Sequence, residues 1–231
     1  MRKRRLSIGW PRRDPRHYRF PLPNAVWEYK LNPIEFVLLS HLCCQHSHGG
    51  TNLSPRMIAK GVHITMVTVK KYLVSLVGRG LITSEYIPTF QCADSKKFFT
   101  MPNEIFLLNL PPSAFMVYAY LLLIEDRGTH TCHPSYNTLA VETDMTKNTV
   151  MKSIGILLDA GLIAMEHSSY FDQRGMKWKG NNLYTILPTQ QAADAFHQRQ
   201  LDQLEMDAER RRVRKRQERF ARDRLHAAPR P

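Results

Sequence analysis

No stretch of this chain stays apolar for the roughly 18 residues that a membrane-spanning helix needs. Its basic N-terminus is not followed by an apolar segment, so secretion is not expected. Cysteine is scarce. Cys43, Cys44, Cys92 and Cys132 include two neighbours and two scattered residues, which is no disulfide framework and fits a reducing cytoplasm. The phosphate-binding G-x-x-x-x-G-K-[ST] loop, the G-x-S-x-G elbow and the zinc-protease H-E-x-x-H are all missing, so the chain does not read as an enzyme. His41, Cys43, Cys44, His46 and His48 bunch at one helix end without the distant second pair that a zinc site uses, so neither metal nor cofactor is expected. His167 and Tyr170 read as hairpin packing rather than as a nicking centre.

Acidic residues are also in deficit, with 20 Asp and Glu against 33 Lys and Arg for a net charge of +13. Placement matters more than size. Residues 1–19 carry Arg2, Lys3, Arg4, Arg5, Arg12, Arg13, Arg16 and Arg19 against Asp14 alone. Residues 190–231 are basic as well, and the segment between is nearly neutral. Positive ends on a neutral body favour a polyanionic partner, because basic side chains release its condensed counterions.

The middle of the chain says the same thing twice, which sets the fold. Phe20, Leu22, Pro23 and Asn24 return as Phe99, Met101, Pro102 and Asn103; Leu31, Pro33, Phe36, Leu42 and Gly49 return as Leu110, Pro112, Phe115, Leu121 and Gly128. Trp27 is matched by Phe106. Thr68, Val69, Gly80, Leu81 and Ile82 return as Thr149, Val150, Gly161, Leu162 and Ile163. The offset is 79 residues up to a Pro55–Pro134 pairing and 81 from Ala59 and Ala140, which puts two extra residues near Tyr136–Leu139.

Each copy reads as three helices followed by a hairpin. Asn32, Pro33 and Glu35 form a capping-box start. A short helix follows Pro55 or Pro134, and a third starts after Thr65 or Thr146. That third helix buries Val69, Leu73 and Leu76, or Val150, Ile154 and Leu157, and stops at Gly80 or Gly161. Strand-like runs Leu81–Tyr86 and Lys96–Thr100, then Leu162–His167 and Asn182–Leu187, complete the winged helix-turn-helix plan. The expected fold is therefore mostly α with small β-hairpin wings. It comprises a flexible basic arm at 1–19, winged helix-turn-helix domains at 20–97 and 98–189, and a basic C-terminal helix at 190–231. Gln191–Leu225 holds neither Gly nor Pro, which favours one long helix.

In the second copy, Phe98, Phe99, Pro102, Phe106, Pro134, Ser135, Leu139, Ala140, Thr149, Val150, Gly161, Leu162 and Ile163 form a pattern that resembles the helix-turn-helix region of replication initiator proteins of Gram-positive plasmids and conjugative elements. The resemblance covers Phe98–Leu187 well and Phe20–Tyr86 more loosely, since Ser54-Pro55 inverts the Pro134-Ser135 order. It implies a bacterial, cytoplasmic protein, associated with the nucleoid or a plasmid. Such a protein binds origin repeats in double-stranded DNA and recruits host replication proteins without chemistry of its own. A transcriptional regulator of a mobile element is the alternative. A non-enzymatic interaction scaffold with nonspecific nucleic-acid-binding tails is a third reading, and a homodimer is a further candidate assembly.

With the apolar stripe of the third helix buried, Lys147, Asn148, Met151 and Lys152 face outward at its N-terminal end, where recognition helices touch bases. Their first-copy counterparts are Met66, Val67, Lys70 and Lys71. Arg174, Lys177 and Lys179 place charge on the second wing, and Arg2, Lys3, Arg4 and Arg5 form an arm suited to phosphate or minor-groove contact. On this pattern the second copy is the principal DNA reader, with the first reading different bases, gripping weakly or holding a partner.

Overall fold

The computed structural model describes residues 18–50, 53–89, 97–171 and 177–227. The described residues up to Ala192 form one compact unit, and those from Ala193 form a second. Arg2, Lys3, Arg4 and Arg5 lie outside the described residues.

The first unit is built around two helices buried on every side over most of their length, α1 (Pro33–Ser47) and α4 (Pro112–Ile124). A helix without a polar face must be covered on every side, and α4 is buried continuously from Ala114 to Leu122. The two pack on each other. Strands β1 (Arg19–Pro23) and β2 (Phe98–Pro102) pair antiparallel, with Pro21 opposite Thr100. Pro21 and Thr100 are themselves equivalent positions of the repeat, as are Phe36 and Phe115, whose rings meet at 6.2 Å. Equivalent residues meeting each other is the signature of a twofold axis.

The aromatic core obeys the same operator. Phe20 stacks on Phe106 as Trp27 approaches Phe99. Trp27 meets Phe36 at 4.9 Å as Phe106 meets Phe115 at 5.3 Å. Trp27 meets Tyr120 edge-on as Phe106 meets His41. The two copies thus form an internal pseudo-dimer with one continuous core.

Each outer helix pair then packs on its central helix. In the first copy these are α2 (Pro55–Gly61) and α3 (Met66–Gly78); after β3 (Thr131–Cys132), the second supplies α5 (Tyr136–Glu142) and α6 (Lys147–Asp159). Helix α3 packs on α1, and α6 on α4. The local stops are as expected: Gly80 and Gly161 adopt φ of 71° and 72° just past the third helices, a left-handed conformation that glycine takes without a Cβ penalty. Asn32 Oδ1 accepts from the amides of Ile34 and Glu35 at 3.0 Å, while Glu35 accepts from the Asn32 amide, closing the capping box.

Three details differ from the sequence expectation. The two-residue insertion precedes the short helix rather than falling inside it. Ser54 caps α2 through the Met57 amide and Ser135 caps α5 through that of Thr138, so the 81-residue offset already holds at these serines. Pro55 therefore answers to Tyr136, not Pro134, and the extra residues belong to the stretch that carries β3. The second difference is the first copy's wing. Among the described residues, Leu81–Tyr86 forms a tight turn closed by a single Ile82–Pro88 bridge, and Phe98–Pro102 pairs with β1 instead. Two like strands related by the axis satisfy each other's edges, which a local hairpin would leave open. The second copy has a full wing, with β4 (Ile163–Phe171) against β5 (Lys177–Ile186) and β3 on the far edge of β5. Third, Glu35 is buried, accepts from Ser75 at 2.6 Å and Arg79 at 3.1 Å, and so latches α1 to the end of α3. The second copy has Ala114, Ile156 and Ala160 at these places.

His41, in α1, is buried, with its Nδ1 lacking a partner among the described residues. A Cβ at Gly61 would sit 2.3 Å from its Nε2 and 2.9 Å from its Cε1. Because Phe106 holds the other side of the ring at 5.1 Å, Gly61→Ala should cost about 1–3 kcal/mol through overpacking. A thermal midpoint equal to that of the unsubstituted protein would show that the ring has room to shift.

The helix α7 runs from Thr189 to Ala227. Thr189 is buried and its hydroxyl lies 3.4 Å from that of Tyr118. Beyond Ala192, α7 is solvated, with Leu201, Leu204, Met206, Val213 and Phe220 exposed and Arg210, Arg212 and Arg214 in pairs with Asp207, Glu209 and Glu218 on the same helix. No helix among the described residues is long and apolar enough to cross a membrane.

Candidate nucleic-acid interface

Both copies build the same helix–turn–helix. In the first turn, the Val62 amide bonds back to the Ile58 carbonyl and that of Ile64 to Ala59; in the second, Thr143 bonds to Leu139 and Met145 to Ala140. His63 and Asp144 supply the left-handed residue at φ of 55° and 51°. Thr65 and Thr146 then cap α3 and α6, each with its hydroxyl 2.8 Å from that of the threonine three positions on. Neither first turn contains an acid, so the positive end of each helix dipole is left for an anion.

The outward faces follow from the buried ones. Val150, Ser153, Ile154 and Leu157 of α6 face the core. Lys147, Asn148, Met151 and Lys152 are consequently exposed together along its first two turns. Lysine donates to guanine O6 and N7, and asparagine pairs bidentately with adenine. On α3, Val69, Leu73 and Leu76 are buried, and Met66, Val67, Lys70 and Lys71 are exposed. The Lys71 ammonium lies 5.5 Å from the centroid of the Tyr72 ring. Arg174 lies outside the described residues; Lys177 and Lys179 are on β5, where the backbone alone is described.

The sequence reading missed Arg56 and Lys60, both exposed on α2. The signal was available: residues 55–78 hold Arg56, Lys60, Lys70 and Lys71 and no acid. Residues 136–159 hold Lys147 and Lys152 against Glu142, Asp144 and Asp159. Positive charge without a countering acid thus concentrates on the first helix–turn–helix, while the second carries the mixed Lys147–Asn148 pair.

The other titratable groups have structural surroundings. Burial pushes the thiols of Cys44 and Cys132 up to about 12, which leaves them protonated and unreactive. His48 engages the Cys44 carbonyl at 2.7 Å through Nδ1 and Asn103 at 3.1 Å through Nε2. His167 Nδ1 and Asn182 Oδ1 lie 3.0 Å apart as a cross-strand pair of the wing.

No curated protein matches this sequence. A solved structure described as a "possible transcriptional regulator from Methanosarcina mazei Go1" is similar at 18% identity, over 48% of this chain and 89% of that one, with a TM-score of 0.32. A family model described as a helix-turn-helix domain matches residues 108–163, which run from the end of the turn before α4 into β4. With the geometry above, that match identifies a DNA-binding helix-turn-helix domain in the second copy, and the pseudo-twofold axis repeats its plan in the first.

Proposed function

We propose that the chain is a sequence-specific double-stranded DNA-binding protein. On this reading it serves as a replication initiator of a plasmid or integrative element, gripping origin repeats without catalysing a reaction. The observation that carries DNA reading is the exposed Lys147–Asn148 pair on the first turn of α6, a helix whose opposite face is locked in the core. The replication role draws its support from the resemblance of Phe98–Leu187 to plasmid initiators. Host replication proteins are the proposed recruits, and the bacterial cytoplasm the proposed setting. A second copy of the chain would sit on a neighbouring origin repeat.

Selection on random duplexes tests the reading directly. Specific readers bind their site at least about 10³-fold tighter than bulk DNA; enrichment of nothing above tenfold would sink it. Asn148→Ala should weaken the selected site by about 1–3 kcal/mol and relax one base position. An unchanged profile removes Asn148 from readout. A transcriptional regulator of a mobile element would use the same plan, and genomic position separates the two: the selected sequence recurs as an origin array for an initiator, and at a promoter for a regulator.

A further inference from the structure

The two helix–turn–helix units are related by a twofold operator, yet their outward residues differ. At equivalent positions, Met66, Val67, Lys70 and Lys71 stand against Lys147, Asn148, Met151 and Lys152. Val67 is 79% exposed and Met66 44%, so these are not core residues displaced outward. Their surroundings are cationic, with Arg56, Lys60, Lys70 and Lys71 exposed and no acid on either helix. That charge suits a duplex. An apolar side chain at the reading end of a recognition helix has one specific partner on DNA, the thymine methyl group in the major groove.

We infer that one chain reads a single composite site as an inverted repeat with unlike halves, which rests on the DNA-binding proposal above. On a duplex whose dyad lies along this axis, the twofold that carries α3 onto α6 carries one DNA strand onto its complement, so the half-sites are inverted rather than direct. The α6 half contains an adenine for Asn148 and a guanine for Lys147. The α3 half has thymine at the position read by Val67, with Lys70 placed for a neighbouring guanine. The site is a near-palindrome whose departure from symmetry is set by residues 66, 67 and 70.

The test uses the full chain and two measurements. First, random-duplex selection should return two unlike half-motifs in inverted orientation, and a synthetic duplex with one half flipped to a direct repeat should bind at least tenfold more weakly. Second, Met66→Lys, Val67→Asn and Lys70→Met together copy the α6 face onto α3. All three sites are exposed, so the fold should survive. That variant should prefer the perfect palindrome of the α6 half over the original site by tenfold or more, reversing the parent's preference. Direct repeats, a motif with only the α6 half (the result if α3 docks a protein), or a variant that keeps the parent's preference would each overturn the inference. If no sequence is enriched at all, the DNA-reading proposal fails and takes this one with it.

Discussion

Phe36→Ala should destabilise both copies at once, by about 3–5 kcal/mol, as a fully buried aromatic truncation does. Phe36 is 1% exposed and sits on the axis, against Trp27 of its own copy and Phe115 of the other. Removing its ring opens a cavity that neither copy can close alone, because the walls come from both. The loss is a large share of the roughly 5–15 kcal/mol that holds a domain folded. It should appear in urea as one transition moved to lower denaturant. Amide exchange in α6 should accelerate too, although the substitution lies in α1. Phe115→Ala should give the mirror result. If α6 kept its protection while α3 lost it, the two copies would be separate cooperative units and the shared core would be refuted.

Acidification should begin to destabilise the protein above the range where its carboxylates protonate. Burial lowers the His41 pKa from 6.5 to about 4. The unfolded chain therefore takes up this proton near pH 6.5, whereas the folded chain resists it down to about 4. Stability is intact above pH 6.5 and falls through that window as pH drops, by about 1.36 kcal/mol per unit and about 3 kcal/mol in all. Asp126, held below the usual carboxylate range chiefly by the amides of Gly128 and Thr129, acts only at lower pH. His41→Gln should flatten the stability profile between pH 6.5 and 4. A slope that survives the substitution would assign the acid sensitivity to another group.

Much of this was legible because the signals are local. Asn32 and Glu35, Thr65 and Thr146, and Gly80 and Gly161 declare helix starts and stops within a single turn of chain, and all six act as their spacing predicts. The outward set on α6 followed from the buried stripe of the same helix. The features that local signals do not encode are non-local. The pairing of β1 with β2 joins residues 79 apart at its centre, and Glu35 finds Arg79 across 44 positions. Nothing in either short run names its partner. Pro55 and Pro134 looked equivalent by residue type, but the capping hydroxyls of Ser54 and Ser135 fix the true alignment. Arg56 and Lys60 lie on the short second helix, outside the third-helix pattern, although the absence of acids around them is plain in the composition.

The axis between the copies also bears on how occupancy depends on concentration. A reader made of two separate chains must first associate, so its occupancy of an inverted site collapses steeply on dilution below the dimer dissociation constant. Here both halves of the grip are joined by the peptide backbone and a common core. On the proposed reading, occupancy of one site would follow the first power of protein concentration, with a Hill coefficient of one. A single molecule newly delivered to a cell could then act on a single site. Each half would also be free to drift in sequence without forcing the same change on its mate, a freedom no homodimer has and the one recorded at residues 67 and 148.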